Sequence, residues 1–126
     1  MKKWVGIDLD GTLAKSTKDG SIGRLIPEIA VLVLGLVKNK IDVRIFTVRA
    51  KTPAQIAKVR LWLRTNGLPD LPITNIKDDG MELLLDDRAV RVQRDRGELC
   101  TGCAEHALSF LTHRTEAHAS ASLTDC

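Results

Sequence analysis

The sequence predicts an α/β domain with a mostly parallel central sheet, and three observations carry that prediction. Short apolar runs of strand length recur along the chain, and two longer segments with helical start and stop signals lie between them. The runs end in clusters of carboxylates, hydroxyls and glycine. At 126 residues, 44% hydrophobic and 28% charged, the chain suffices for one domain with one core and is too short for two.

Lys3 to Leu9 (KWVGIDL) suits a buried parallel strand and is too short for a packed helix. Residues 13 to 25 mix Lys, Ser, Thr, Asp and Gly around Asp19-Gly20, a strong hairpin signal, and are expected to form a loop or small flap. Pro27-Glu28 opens a helix to about Lys38, with Pro at its first position, an acid in its first turn and a lysine at its end, although Val31, Val33 and Val37 would also suit a strand. Ile41 to Thr47 (IDVRIFT) is a second strand. Thr52-Pro53 then caps a helix to about Asn66, ended by Gly67 and Pro69. Its apolar residues Ile56, Val59, Trp62 and Leu63 recur at helical spacing, which makes Trp62 a core residue and not a platform for stacking a ligand.

Met81 to Asp86 (MELLLD) is a third strand and Ala89 to Val92 a short fourth. Only Asp78, Asp79 and Gly80 separate Lys77 from the third strand, and a parallel crossover needs a dozen residues or more, so residues 71 to 76 are expected to be a loop or a short edge strand. From Gly97 the composition shifts to Ala, Ser, Thr, His and Cys, and Leu99, Cys103, Ala107, Phe110 and Leu111 fit one face of a helix docked on the sheet. The expected organisation is a single doubly wound, Rossmann-like domain over residues 1–111 and a flexible C-terminal tail over 112–126.

Composition narrows the function. With 3% aromatic residues and no Tyr, the chain lacks the stacking platforms of readers of RNA and single strands. Nineteen Lys and Arg against 16 Asp and Glu leave +3, crowded between Lys38 and Arg96, a surface that tolerates phosphate-bearing partners without demanding nucleic acid. The longest apolar run, Ile29 to Val37, falls short of the roughly 18 to 20 residues of a membrane span. Met1-Lys2-Lys3-Trp4-Val5 leads straight into a strand and lacks a secretory leader's features, and three cysteines make no disulfide framework. A soluble cytoplasmic protein with no membrane partner is the expectation. Cys100-x-x-Cys103 with His106 and His113 has a zinc site's outline, but one helix cannot surround a tetrahedral ion, so idle or buried cysteines are the better reading.

In open parallel sheets, ligands bind where loops leave the carboxyl ends of the strands. The first strand ends in Asp8-Leu9-Asp10-Gly11-Thr12, the second in Thr47-Val48-Arg49 and the third in Asp86-Asp87-Arg88, with Lys77 shortly before it. Carboxylates at this density repel unless a cation sits among them, and hard-cation sites for Mg²⁺ are built this way. One carboxylate can attack a phosphoryl group to give an aspartyl-phosphate, and a second can protonate the leaving oxygen and then activate water. Lys77 and Thr47 are placed to hold the phosphoryl oxygens, and Gly11 to turn the backbone sharply and offer N–H groups to them. Arg49 and Arg88 either face the substrate or neutralise the acidic rim.

These residues, over about 3 to 93, resemble the four motifs of the haloacid dehalogenase superfamily of phosphohydrolases. The resemblance implies Asp8 as nucleophile and Mg²⁺ ligand, and Asp10 as general acid/base that also gives its backbone carbonyl to the metal. It implies Thr47 and Lys77 as phosphate-binding residues, with Lys77 paired to Asp8. Asp86 and Asp87 match the acidic fourth motif, with Asp87 favoured as the direct ligand, and Gly11, Thr12 and Arg49 join the substrate-binding set. The stretches from Asp10 to Thr47 and from Thr47 to Lys77 are each spent on a helix and its loops, which leaves no room for a cap domain. A capless site suits the exposed phosphate of a large substrate, such as a nucleic-acid end or a phosphoprotein, or requires a partner subunit as lid, a homo-oligomer included.

Asp86-Asp87-Arg88, and Arg49 two residues past Thr47, are also similar to the phosphatase half of polynucleotide kinase-phosphatases. Arg44, Lys51, Lys58, Arg60 and Arg64 would suit a phosphodiester backbone if they share a face. The expected function is a Mg²⁺-dependent phosphatase of phosphate monoesters, small molecules or nucleic-acid ends. The alternatives are a polynucleotide 3'-phosphatase, a binding module without turnover, and a response-regulator-like phosphoacceptor, against which Asp10 argues for rapid hydrolysis.

Overall fold

A computed structural model describes residues 2–100 together with Gly102 and Ser109. Cys103, His106, His113 and the tail over 112–126 lie outside the described residues, as does most of the helix expected from Leu99 to Leu111. The chain divides into two compact units, Met1–Asp87 and Arg88–Cys126. The first holds every named element in the order β1 (Trp4–Ile7), α1 (Pro27–Lys38), β2 (Val43–Phe46), α2 (Pro53–Thr65), β3 (Ile73–Thr74) and β4 (Met81–Leu85).

The strands form one parallel sheet in the order β3-β2-β1-β4. It is an α/β, Rossmann-like architecture whose winding reverses between β1 and β4. Side chains alternate across each strand, so Val5, Ile7, Val43 and Ile45 share one face. That face forms the buried core with Ala30 and Val33 of α1 and Val59 and Leu63 of α2. Both helices lie on it because both crossovers step the same way along the sheet, from β1 to β2 to β3. α1 has the expected Pro at its start and Glu28 in its first turn, and packing settles its β-branched residues as helix. In α2 the Thr52 hydroxyl accepts the Gln55 N–H at 3.2 Å, and Gly67 follows the helix at φ 72°.

Residues 71 to 76 do include a short edge strand, β3, and it pairs with β2. The link from β3 to β4 therefore recrosses the sheet in six residues, too few for a helix. It is fastened at the start of β1. The Trp4 indole Nε1 donates to Asp78 at 2.7 Å, the Trp4 N–H donates to the Gly80 carbonyl at 2.9 Å, and Arg44 pairs with Asp78 at 3.4 Å while stacking 4.5 Å from the Trp4 ring centroid. These groups hold the Asp78 carboxyl below its ordinary range, the Trp4 hydrogen bond most of all. Trp4 is fully buried, so Trp4→Phe is expected to cost about 2 kcal/mol through lost ring volume and a lost hydrogen bond, read as a lower urea midpoint.

The strand expected at Ala89–Val92 does not form. In the second unit Val92 makes only an isolated antiparallel bridge to Leu99, and the Gln93 N–H donates to the Glu98 carbonyl at 2.7 Å around a turn with Asp95 and Gly97 at positive φ. The returning segment takes the backbone bonds that a sheet neighbour would need. Among the described residues no helix is long and apolar enough to cross a membrane.

Candidate functional site

β1 and β4 are neighbouring parallel strands, so their carboxyl ends lie side by side on one rim of the sheet, where ligands of open α/β sheets bind. Asp8 stands one residue past β1, and Asp86 and Asp87 stand just past β4. The Asp8 N–H donates to the Leu85 carbonyl at 2.9 Å, which extends the parallel ladder one step and locks the two ends together. Asp8, Asp86 and Asp87 each offer a carboxylate oxygen within 4.8 Å of the others. The Thr12 hydroxyl, itself buried, lies 3.3 Å from Asp8 Oδ2 and 3.2 Å from Asp87 Oδ1, so its one proton is shared between the two acids.

Burial is the first cause that pushes Asp8 up to about 7, followed by a hydrogen bond with Asp87 and the charges of Asp86 and Asp87. The Leu9 N–H works the other way. Three oxygen donors and an excess of negative charge fit a hard divalent cation such as Mg²⁺. A cation must displace the Asp8 proton to bind. Mg²⁺ affinity is therefore expected to fall roughly tenfold between pH 8 and pH 6, measurable by titration calorimetry, and an affinity flat over that range would contradict this assignment.

Asp10, two residues on, faces elsewhere. Arg49 grips both its oxygens, Nε to Oδ2 at 2.7 Å and Nη2 to Oδ1 at 2.9 Å, and donates from Nη2 to the Ser21 carbonyl at 3.1 Å. The Asp10 hydrogen bond raises the Arg49 pKa above its ordinary value. Of the two roles open to Arg49, the structure shows the ion pair with the acidic rim. Thr47 is buried past the end of β2, and its hydroxyl accepts the Arg49 N–H at 3.1 Å. Arg88 opens the second compact unit.

Gly11 matters for space and torsion. At φ 90° it occupies a conformation that side chains resist, and a Cβ there would meet Asp87 Oδ2 at 2.5 Å. Its N–H is already donated to the Ala14 carbonyl at 2.7 Å, which corrects the expectation that it is offered to substrate oxygens. Thr12 likewise turns to the acids. Lys77 is exposed on the β3–β4 connection, and the next residue, Asp78, is bound to Trp4 at the opposite end of β1 from Asp8. The structure does not place Lys77 in the carboxylate group.

The basic residues do not share a face. Arg44 lies against Trp4 on the sheet face away from both helices, and Arg60 pairs with Asp70 at 3.2 Å. On α2, Lys58 is about 200° around the helix from Arg60. What the residue-by-residue reading missed is a stripe on α2, Gln55, Lys58, Trp62 and Thr65, that meets the flap across a cavity of about 510 Å³. The three- to four-residue spacing was the available signal, and Trp62 proves to serve both the core and that cavity.

The chain matches no protein-family model and no curated protein. A solved structure described as that of the conserved protein coded by a locus from Bacteroides thetaiotaomicron is similar, with a TM-score of 0.57 and 18% identity over 97% of this chain and 100% of that one. At that identity the likeness carries the fold and leaves the activity to be argued from the site.

Proposed function

We propose that the protein is a Mg²⁺-dependent phosphatase of phosphate monoesters that works through an aspartyl-phosphate on Asp8, as its resemblance to the haloacid dehalogenase superfamily implies. The observation that carries the reading is the division of labour between two carboxylates on one turn. Asp8 sits with Asp86 and Asp87, their carboxylate oxygens within 4.8 Å of one another, and Asp10 is drawn aside by Arg49. Mg²⁺ held by Asp8, Asp86 and Asp87 would offset the charge of both the carboxylates and the phosphate.

In the first step an Asp8 oxygen bonds to phosphorus as the ester oxygen leaves, taking a proton from Asp10. In the second, Asp10 takes a proton from water, the water oxygen bonds to phosphorus, and the acyl phosphate bond breaks to release phosphate and restore Asp8. Arg49 occupies both Asp10 oxygens in the resting site. One of these contacts must open for Asp10 to exchange a proton with the leaving group or with water. Thr47 adds a hydroxyl donor beside Arg49, and Lys77 stays on the exposed connection in this reading.

The test is phosphate release by the full chain, with and without Mg²⁺, from p-nitrophenyl phosphate, mononucleotides and a 3'-phosphorylated oligonucleotide. Mg²⁺-dependent release from the small esters is expected. The dispersed basic residues predict no strong preference for the oligonucleotide, and such a preference would move the polynucleotide 3'-phosphatase ahead. No release from any substrate, with Mg²⁺ shown to bind, would favour a binding module and refute turnover.

A further inference from the structure

The flap and α2 enclose the cavity of about 510 Å³, inside the roughly 300 to 1,000 Å³ range of small-molecule sites, and Arg49 is a wall common to it and to the Asp10 pair. Both sides are tied in place. Arg49 holds the Ser21 carbonyl, and the Trp62 indole Nε1 donates to the Gly23 carbonyl at 2.9 Å. The flap arms are closed by the Lys15 N–H to Arg24 carbonyl bond at 2.8 Å and the Ala14 to Leu25 bridge.

The lining has a consistent chemistry. Ile22, Leu61 and Trp62 form an apolar wall, and Leu61 is 62% exposed, a large apolar side chain left beside the opening. The ionisable residues of the lining are Arg49 and Lys58, both cations, with no carboxylate among them. Arg49 is occupied by Asp10, whereas Lys58 has no ion-pair partner among the described residues. Apolar side chains and an ammonium without an ion-pair partner thus line one cavity, and Arg49 in the same lining is bonded to the acid/base Asp10.

We propose that this cavity is the leaving-group subsite, and that it takes small phosphate monoesters whose apolar or aromatic body carries a second anionic group, carboxylate or phosphate, for Lys58. The proposal rests on the phosphatase reading above for its chemistry, and on the cavity for its specificity. It also gives a capless site a place for a small substrate: the flap and α2 wall part of the leaving group's surroundings and leave one side open to solvent.

The experiment compares phenyl phosphate with 4-carboxyphenyl phosphate on the wild type, Lys58→Gln and Lys58→Glu. In the wild type the carboxylated ester is expected to have a kcat/KM roughly fivefold higher, mainly through KM, the reach of one exposed ion pair. Lys58→Gln brings the ratio to one and Lys58→Glu takes it below one. A wild-type ratio of one, or a ratio unchanged in both variants, overturns the subsite. Binding of the non-hydrolysable 4-carboxybenzylphosphonate and benzylphosphonate, followed by tryptophan fluorescence with Trp62 at the cavity wall, reads the same preference without turnover. Preferential binding that Lys58→Gln abolishes, in a protein releasing no phosphate from any ester, supports the subsite and refutes the phosphatase reading.

Discussion

Asp8→Asn is expected to lower phosphate release by at least about 10⁴-fold, because a carboxamide cannot supply the nucleophilic oxygen. The same substitution is expected to stabilise the metal-free protein at pH 8. In the folded chain Asp8 binds its proton up to about 7, and in the unfolded chain only up to near 3.8. Between those values the folded state holds more protons, so stability falls as pH rises through that window. Asn escapes that loss. The variant should therefore unfold later than the wild type at pH 8 by about 1 kcal/mol after solvent screening, with the gap closing towards pH 4. Mg²⁺ should reverse the order by stabilising only the wild type appreciably. Near-wild-type turnover in the purified variant would remove Asp8 from the mechanism. A gap that widens on acidification would remove the burial of Asp8, and its crowding by Asp86 and Asp87, as the cause.

Gly11→Ala is the second large effect, and its two readouts should separate. The fold is expected to survive, at a cost of about 1 kcal/mol for placing a side chain at positive φ. The clash falls on the Asp87 carboxylate, the end of an exposed side chain that can swing away. Swinging away removes one of the three carboxylate oxygens that would hold a cation and breaks the Thr12 bridge to Asp8. Mg²⁺ affinity is expected to fall by about 10² or more, and activity with it. Circular dichroism and a urea midpoint near wild type beside lost Mg²⁺ binding is the predicted pair. Unaltered Mg²⁺ affinity would show that Asp87 does not depend on the absent Cβ.

The elements were legible where local chemistry and tertiary packing agree. Thr52 and Pro53 start α2 and Gly67 follows its end because capping is decided within a few residues, and VGI, VRIF and MELLL are strands because each is short and apolar. The Ala89–Val92 run failed because the outcome depended on a competitor, the segment around Leu99. Lys77 was legible as a residue and not as a position, since six residues of linkage can end at either rim of a sheet.

Strand length, capping and motif spacing are local quantities, so the parallel α/β fold, the four carboxylates at strand ends and the lack of room for an inserted domain were readable from the residues alone. Tertiary structure alone decided how the carboxylates divide. Strand order β3-β2-β1-β4 sets Asp8 beside Asp86 and Asp87, and a contact 39 residues apart commits Asp10 to Arg49. It also decided that Arg44, Lys58 and Arg60 point three ways and that a cavity opens between flap and helix. Which groups share a low-dielectric neighbourhood depends on strand order and helix rotation, and no residue type encodes those by itself.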